Sequence, residues 1–436
     1  MFYFVFEHFE KPNCDGQFSV NNSELRHGCR DGQFRYCHID EVDNQDVNYI
    51  YPIEIAGGLM HGLQTVKFSD KVLNLYKKGK LKFLINYSHE FKLDSIGKND
   101  TVETIWDTFY KTILKQNIKP SDIIFFLGQT NTLTNYPELK KYGFIFKFND
   151  AVIYSSAEKA FYMEKMFVKN GDISKNDFKG KFKNGLGYKS EFIKLSEIDR
   201  KRSKRFMTMN KGVQYDHRIT LGSFLEWKNL WDDFYASFLF TDLVKSAFAS
   251  RLIKTNDKEY DAGILKHSGN FYDKIGTIEI DTQNVECKEH WDGGYEGGRH
   301  YKKECFIDSY IHVATETMFL KNELFVTDKV FHAVLQYQPF IVLSCYRFLK
   351  HLKTYGFKTF HPFIDESYDE IEDDGERIKA IFEEILKIKE KPLDEIHEWY
   401  ISIKDILAHN RKLFLSYGDN HWLRCWTKHI VEIYND

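Results

Sequence analysis

NELFVTDKVFHAVLQYQPFIVL, residues 322–343, is the stretch on which the reading of this chain turns. Apolar residues recur at helical spacing from Val330, Thr327 stands where an N-cap would, and Asp328 and Lys329 occupy the first turn of a helix running to Gln336. Pro339 then opens the unbroken apolar run Phe340, Ile341, Val342 and Leu343, which is too short for a helix and fits a strand buried on both faces. A helix that delivers the chain into such a strand is half of a βαβ unit. The acid and base at its mouth stand where such units bind ligands.

Outward from this unit the same alternation recurs. YPIEIAGGL (51–59), LKFLINYS (81–88), DIIFFLG (122–128), GFIFKFN (143–149), RFMTMN (205–210) and ASFLFT (236–241) read as strands. Helical spacing appears over 101–117, 217–230, 375–390 and 393–414. The expectation is an α/β protein with mainly parallel sheets. At 436 residues the chain exceeds the size at which one core usually keeps growing, so two domains are expected. A hydrophobic share of 42% with 29% charged residues is that of a globular chain, and the formal charge of −3 points to no class of partner. Seven scattered cysteines without a CxxC pair predict reduced thiols and a cytoplasmic protein. MFYFVFEHFE (1–10) reads as a first strand, because Glu7, His8 and Glu10 interrupt it and no basic leader or small-residue cleavage site follows. No run approaches the length of a transmembrane segment.

Between Lys165 and Lys211 there are 14 basic residues against 5 acidic, in a chain that is otherwise net acidic. Its core, DRKRSKRF (199–206), makes Arg200, Lys201, Arg202 and Lys204 candidates for a polyanion or acceptor surface at a cleft mouth, or else a solvated Lys-rich segment. Dinucleotide, P-loop, nucleophile-elbow and HExxH patterns are absent, as is any DxD triplet that would hold a metal on a nucleotide diphosphate. If phosphate is bound, cationic side chains must neutralise it. In RFMTMNKGVQYDHRITL (205–221) a strand ending at Asn210 leads through Gly212 to His217 and Arg218 at a helix start, where N–H groups and a guanidinium converge on an anion. In the opening stretch Lys329 offers a point charge to phosphate, and Asp328 an acceptor for a ribose diol.

SYIHVATETMFLKNELFVTDKVFHAVLQYQPFIVL (309–343) resembles the nucleotide-sugar region of GT-B-fold glycosyltransferases, particularly the fucosyltransferase-like type and its phage and bacterial relatives. The matching elements are Glu316 at a strand end, Phe325-Val326-Thr327-Asp328-Lys329 at a helix start and Pro339-Phe340-Ile341-Val342 in a strand; Asp328 replaces the usual Glu. The likeness is specific there and loose across 200–415. It implies two Rossmann-like domains facing a central cleft: an acceptor domain over 1–198, a nucleotide-sugar domain over 199–392, and helices over 393–436 crossing back to the first. It further implies a metal-independent, inverting transfer from a UDP- or GDP-sugar to a hydroxyl, with no cofactor beyond that donor substrate. Lys329 and Arg218 would neutralise the diphosphate, with Asn210 and His217 beside it, Asp328 would bind ribose and Glu316 would touch sugar or ribose, with Thr327 at the helix start.

Inversion needs a base on the acceptor side. LKFLINYSHEFKLD (81–94) supplies Glu90, supported by His89, and the relatives carry a similar Ser-x-Glu; His61 is second choice. The resemblance to phage-type relatives implies as acceptor a hydroxymethylated base of phage DNA, in a host cytoplasm, or else a surface glycan. The Gly-rich HWDGGYEGGRH (290–300) is a loop able to close over the sugar, or a plain turn. His27, Cys29, Cys37 and His38 match no common zinc spacing, so no metal is expected. The rival reading is a non-catalytic nucleic-acid-binding protein on a degenerate transferase fold.

Overall fold

A computed structural model describes residues 2–6, 34–42, 48–54, 66–87, 102–127, 137–148, 193–276, 303–320 and 324–417. The chain divides into two compact units, one formed by Met1–Ser155 with Asn420–Asp436 and the other by Ser156–Asp419. The reading from sequence placed its divisions at 198 and 392.

The first unit carries β1 (Phe2–Phe6), β2 (Phe34–His38), β3 (Asn48–Glu54), β4 (Leu81–Tyr87), β5 (Ile123–Leu127) and β6 (Ile145–Phe148). They form one sheet in the order β2-β1-β3-β4-β5-β6, with every described pair parallel. Helices α1 (Asp70–Lys77) and α2 (Val102–Lys115) connect β3 to β4 and β4 to β5. β5 is buried along its whole length, as its unbroken Ile-Ile-Phe-Phe-Leu run requires of an inner parallel strand. Trp106 on α2 meets Phe125 edge-on at 4.9 Å between ring centroids, and Phe109, Phe144 and Phe146 complete an aromatic core. Within the opening decapeptide, residues 2–6 form a strand, which is β1.

The second unit is built on β7 (Lys204–Gly212), β8 (Phe234–Phe240), β9 (Ser309–Thr315) and β10 (Phe340–Leu343), all parallel, in the order β10-β9-β7-β8. Its helices are α3 (Asp216–Trp227), α4 (Lys245–Phe248), α5 (Lys258–Lys274), α6 (Lys303–Ile307), α7 (Lys329–Leu335), α8 (Phe348–Thr354), α9 (Asp374–Lys389), α10 (Leu393–Ser402) and α11 (Lys404–Tyr417). Each residue of β9 and β10 is buried, which is why the 340–343 run carries no polar alternation. Phe224 on α3 stacks on Phe382 on α9 at 4.0 Å, and Phe331 on α7 stacks on Phe414 on α11 at 4.3 Å. Tyr400 on α10 donates its hydroxyl to Tyr337 O. The helices over 393–417 thus pack on the second unit, with hydrophobic and hydrogen-bonded contacts of their own.

α3 and α5 approach so closely that Gly222 has no room for a side chain: a Cβ there would lie 2.0 Å from Phe271 Cζ. Phe271 is itself fully buried against Phe238 on β8 and cannot swing away. Gly222→Ala is therefore expected to lose about 1–3 kcal/mol of stability despite alanine's better helix propensity. A urea midpoint at or above the wild-type value would show that the two helices can part.

Candidate functional site at the carboxyl ends of β7 and β9

In the second sheet, β7 continues through α3 to β8 on one side, while β9 continues through α7 to β10 on the other. β7 and β9 are neighbours, so the connections leaving their carboxyl ends run in opposite directions. Such a reversal opens a crevice in a parallel sheet, and open α/β sheets bind ligands there. The residues singled out after RFMTMN and around FVTDK arrive at this one place from two separate segments.

Three consecutive residues at the end of β9 are each held by one of them. Arg218 donates Nη2 to Thr315 O at 3.2 Å and Nη1 to Gly212 O at 3.0 Å, tying the two strand ends together. Its guanidinium lies 4.6 Å from the Tyr215 ring centre. His217 Nε2 stands 2.8 Å from Glu316 O; since a carbonyl only accepts, this nitrogen carries the hydrogen. Its ring stacks on Phe319 at 5.4 Å. Lys329 donates Nζ to Thr317 Oγ1 at 3.0 Å and to Thr327 Oγ1 at 3.1 Å.

The start of α7 is capped from the strand beside it. Thr327 Oγ1 donates to Glu316 Oε2 and accepts from the Lys329 N–H at 3.3 Å, while Glu316 Oε1 accepts from Val330 N–H at 3.3 Å. The Thr327 oxygen therefore does a cap's work, although the backbone N-cap position falls on Asp328. Glu316 is fully buried, and burial pushes its carboxyl above the usual carboxylate range, with the Lys329 ammonium and the Thr327 hydroxyl pulling the other way. Asp328 keeps 34% of its side chain exposed, 3.8 Å from Lys329 Nζ and 3.6 Å from His332 Nε2. Of the two carboxylates expected to touch the donor, Asp328 faces outward, whereas both oxygens of Glu316 are engaged within the protein.

Asn210 differs from its expected place. β7 runs on to Gly212, leaving Asn210 inside the sheet, where Nδ2 donates to Thr208 Oγ1 at 3.1 Å and Oδ1 accepts from Thr315 Oγ1 at 2.6 Å. It ties β7 to β9 beneath the crevice. The Arg200, Lys201, Arg202 and Lys204 cluster lies at the amino end of β7, roughly 26 Å along a nine-residue strand from Gly212. A strand's start and end cannot share one mouth. Arg202 is buried, donating to Phe306 O, Ser309 O at 2.7 Å and the Tyr400 hydroxyl, so it knits the interior and offers no polyanion surface. Lys201 pairs with Asp394 at 2.6 Å, Lys204 donates to Asp232 O, and Arg200 is exposed.

Reading the sequence missed Arg377. Its guanidinium on α9 is 1% exposed and donates to Ser344 O at 3.0 Å, Ile371 O and Glu372 O at 2.9 Å, Phe319 O at 2.8 Å and the Asp374 carboxylate. It thereby fixes the segments leaving β9 and β10, including the Phe319 on which His217 stacks. The only signal in the sequence was an arginine on the apolar side of a helix, four residues after Asp373, which caps it. Glu90, His89, His61, His27, Cys29, the 290–300 loop and residues 165–192 lie outside the described residues. Cys345 is a buried free thiol.

Three residues before Thr315, His312 is buried in β9, and burial, with His332 nearby, pushes its imidazole down to about 3. The unfolded chain binds a proton there below about pH 6.5 while the folded chain does not, so stability is present above that pH and lost as pH falls through it. Between pH 7 and 5 this one group is expected to remove about 2 kcal/mol. Comparison of urea midpoints with His312→Gln across that window checks it; parallel curves for the two proteins would clear His312 of the acid sensitivity.

Among the described residues no helix is long and apolar enough to cross a membrane. No family model matches the chain, and no curated protein matches it. Among solved structures, one described as trehalose-6-phosphate from E. coli bound with UDP-2-fluoro glucose is similar at 10% identity and a TM-score of 0.36, over 99% of this chain and 98% of that one. An α,α-trehalose-phosphate synthase (UDP-forming) from Burkholderia vietnamiensis is similar at 8% identity and 0.37, over 89% and 73%. The N-terminal domain of Candida albicans trehalose-6-phosphate phosphatase follows at 9% and 0.31, over 100% and 96%. Likeness at this level assigns neither an activity nor a residue's role.

Proposed function

We propose that this chain is a glycosyltransferase, a hexosyl- or pentosyltransferase, that binds a UDP- or GDP-sugar at the carboxyl ends of β7 and β9. The observation that carries the reading is the convergence of Arg218 and Lys329, from two distant segments, on Thr315 and Thr317 at the reversal point of one parallel sheet. Lys329 beside the strand end is suited to a diphosphate, and Arg218, buried with its terminal nitrogens on Gly212 O and Thr315 O, sets a second positive charge behind it, so that the charge growing on the leaving group is stabilised without a metal. Asp328, exposed beside Lys329, takes the ribose diol. Glu316 sets the position of Thr327 and α7 and acts on the donor through them. The transfer inverts, Glu90 with His89 serves as base, and the acceptor hydroxyl belongs to a hydroxymethylated base of phage DNA or to a surface glycan.

A thermal-shift screen against UDP, GDP and their common sugar conjugates, with and without EDTA, tests this. A ligand at a hundredfold excess over its Kd should add about 2.7 kcal/mol of stability, unchanged by EDTA. No stabilisation by any of them would sink the donor site and favour the nucleic-acid-binding reading, which DNA titration at varied salt would then examine.

A further inference from the structure

One side chain at the reversal point has no role in the assignments above. Gln214 lies two residues beyond β7 with its side-chain carbonyl oxygen buried, and that oxygen has no hydrogen-bond partner among the described residues. The amide lies directly over Gly212: a Cβ on that glycine would sit 2.2 Å from Gln214 Oε1 and 2.9 Å from both Cδ and Nε2. Gly212 is thus the residue that makes room for the amide. The same glycine's carbonyl accepts from Arg218, so the amide and the guanidinium both lie beside Gly212. The backbone beneath Gln214 is pinned as well, since Arg251 donates Nη2 to Gln214 O at 3.1 Å and Nε to Asp216 Oδ1 at 2.6 Å.

A buried acceptor left unmet costs free energy comparable to a lost hydrogen bond, and a ligand-binding crevice is one of the places where such a group is retained. A phosphate, having only acceptors, would leave Oε1 against negative charge. A hydroxyl both donates and accepts, and so matches a carboxamide on its own terms. Asp328, the acceptor for a ribose diol, stands at α7 on the β9 side, whereas Gln214 stands on the side of β7 that leads to β8. With the diphosphate between Arg218 and Lys329, the part of the donor reaching Gln214 is the part beyond the diphosphate. We propose that Gln214 hydrogen-bonds a hydroxyl of the donor's glycosyl group and sets which sugar is accepted, with Gly212 as the space that lets it do so. This inference rests on the glycosyl-donor reading of the same site.

Calorimetric titration of the full chain separates the two. The probes are UDP and GDP alone, and their glucose, galactose, mannose and fucose conjugates. Gln214→Leu is expected to weaken the preferred conjugate about tenfold while the parent nucleotide binds as before. Gly212→Ala, which displaces the amide, is expected to do the same, and Gln214→Asn, which shortens its reach, to fall between. A conjugate lacking the one hydroxyl that Gln214 reads should bind wild type and Gln214→Leu equally. An unchanged ratio of conjugate to nucleotide affinity in folded Gln214→Leu would overturn the proposal, as would an equal loss for the nucleotide alone, which would place Gln214 on the base or the phosphates. If wild type binds none of the probes, the donor reading itself falls first.

Discussion

Replacing Arg377 by leucine is expected to remove about 3–5 kcal/mol of stability, more than any other single change proposed here. The guanidinium is 1% exposed and serves four backbone carbonyls besides the Asp374 carboxylate. Leucine fills much of the volume and leaves those carbonyls without donors in a place water does not reach. For a unit of this size the loss amounts to roughly 10 °C in Tm. Arg377→Lys keeps the charge but not the planar fork, and should recover only part of it. The damage extends to the site: with Phe319 O released, the ring under His217 is no longer held, and any nucleotide-sugar affinity should fall with stability. Urea unfolding read by tryptophan fluorescence measures the first effect. A loss below 1 kcal/mol would mean that solvent or a rotated carbonyl replaces the guanidinium.

The second large effect concerns Lys329. Lys329→Ala is expected to weaken UDP- or GDP-sugar binding by about 10- to 100-fold, the worth of one charge-assisted contact to a phosphate. It also removes the cation that favours the ionised form of buried Glu316. The sign follows from that. Glu316 has a carboxyl raised by burial, so ionising it costs stability as pH rises, and Lys329 offsets part of that cost. Without the ammonium the variant should lose more stability at pH 8 than at pH 5, because protonation of Glu316 toward acid pH shrinks the deficit. Measuring conjugate Kd and urea midpoints at both pH values tests the two halves separately. Unchanged affinity in a folded variant would remove Lys329 from the donor site, and a deficit independent of pH would remove its coupling to Glu316.

The fold was legible wherever burial alone decides the residue type. ELFVTDKVFHAVLQYQPFIVL yields α7 and β10 because a strand covered on both faces admits only apolar side chains, and a helix start needs a cap within the chain. The pairing of Asp328 with Lys329 at that mouth was legible for the same local reason. The roles of Glu316, Asn210 and Arg202 were not. A glutamate at a strand end reads as a ligand for sugar, yet tertiary packing turns it under Thr327 and onto the Val330 N–H. Asn210 reads as a strand terminus, yet β7 gains two more residues by pairing with β8 as far as Phe240. Arg202 reads as one of a basic run, yet alone of its cluster it points inward to Tyr400, 198 residues away. Sequence by itself determined that the chain is α/β and which of its most apolar or most periodic segments are strands and helices, but β2, α1, α5 and α8 were not among the segments it offered. Only the tertiary structure decided that β7 and β9 are neighbours whose connections part, and hence that His217, Arg218 and Lys329 meet. The reason is physical: periodicity records whether a residue is buried, but strand order depends on pairings between segments about a hundred residues apart, for which no single segment carries the information.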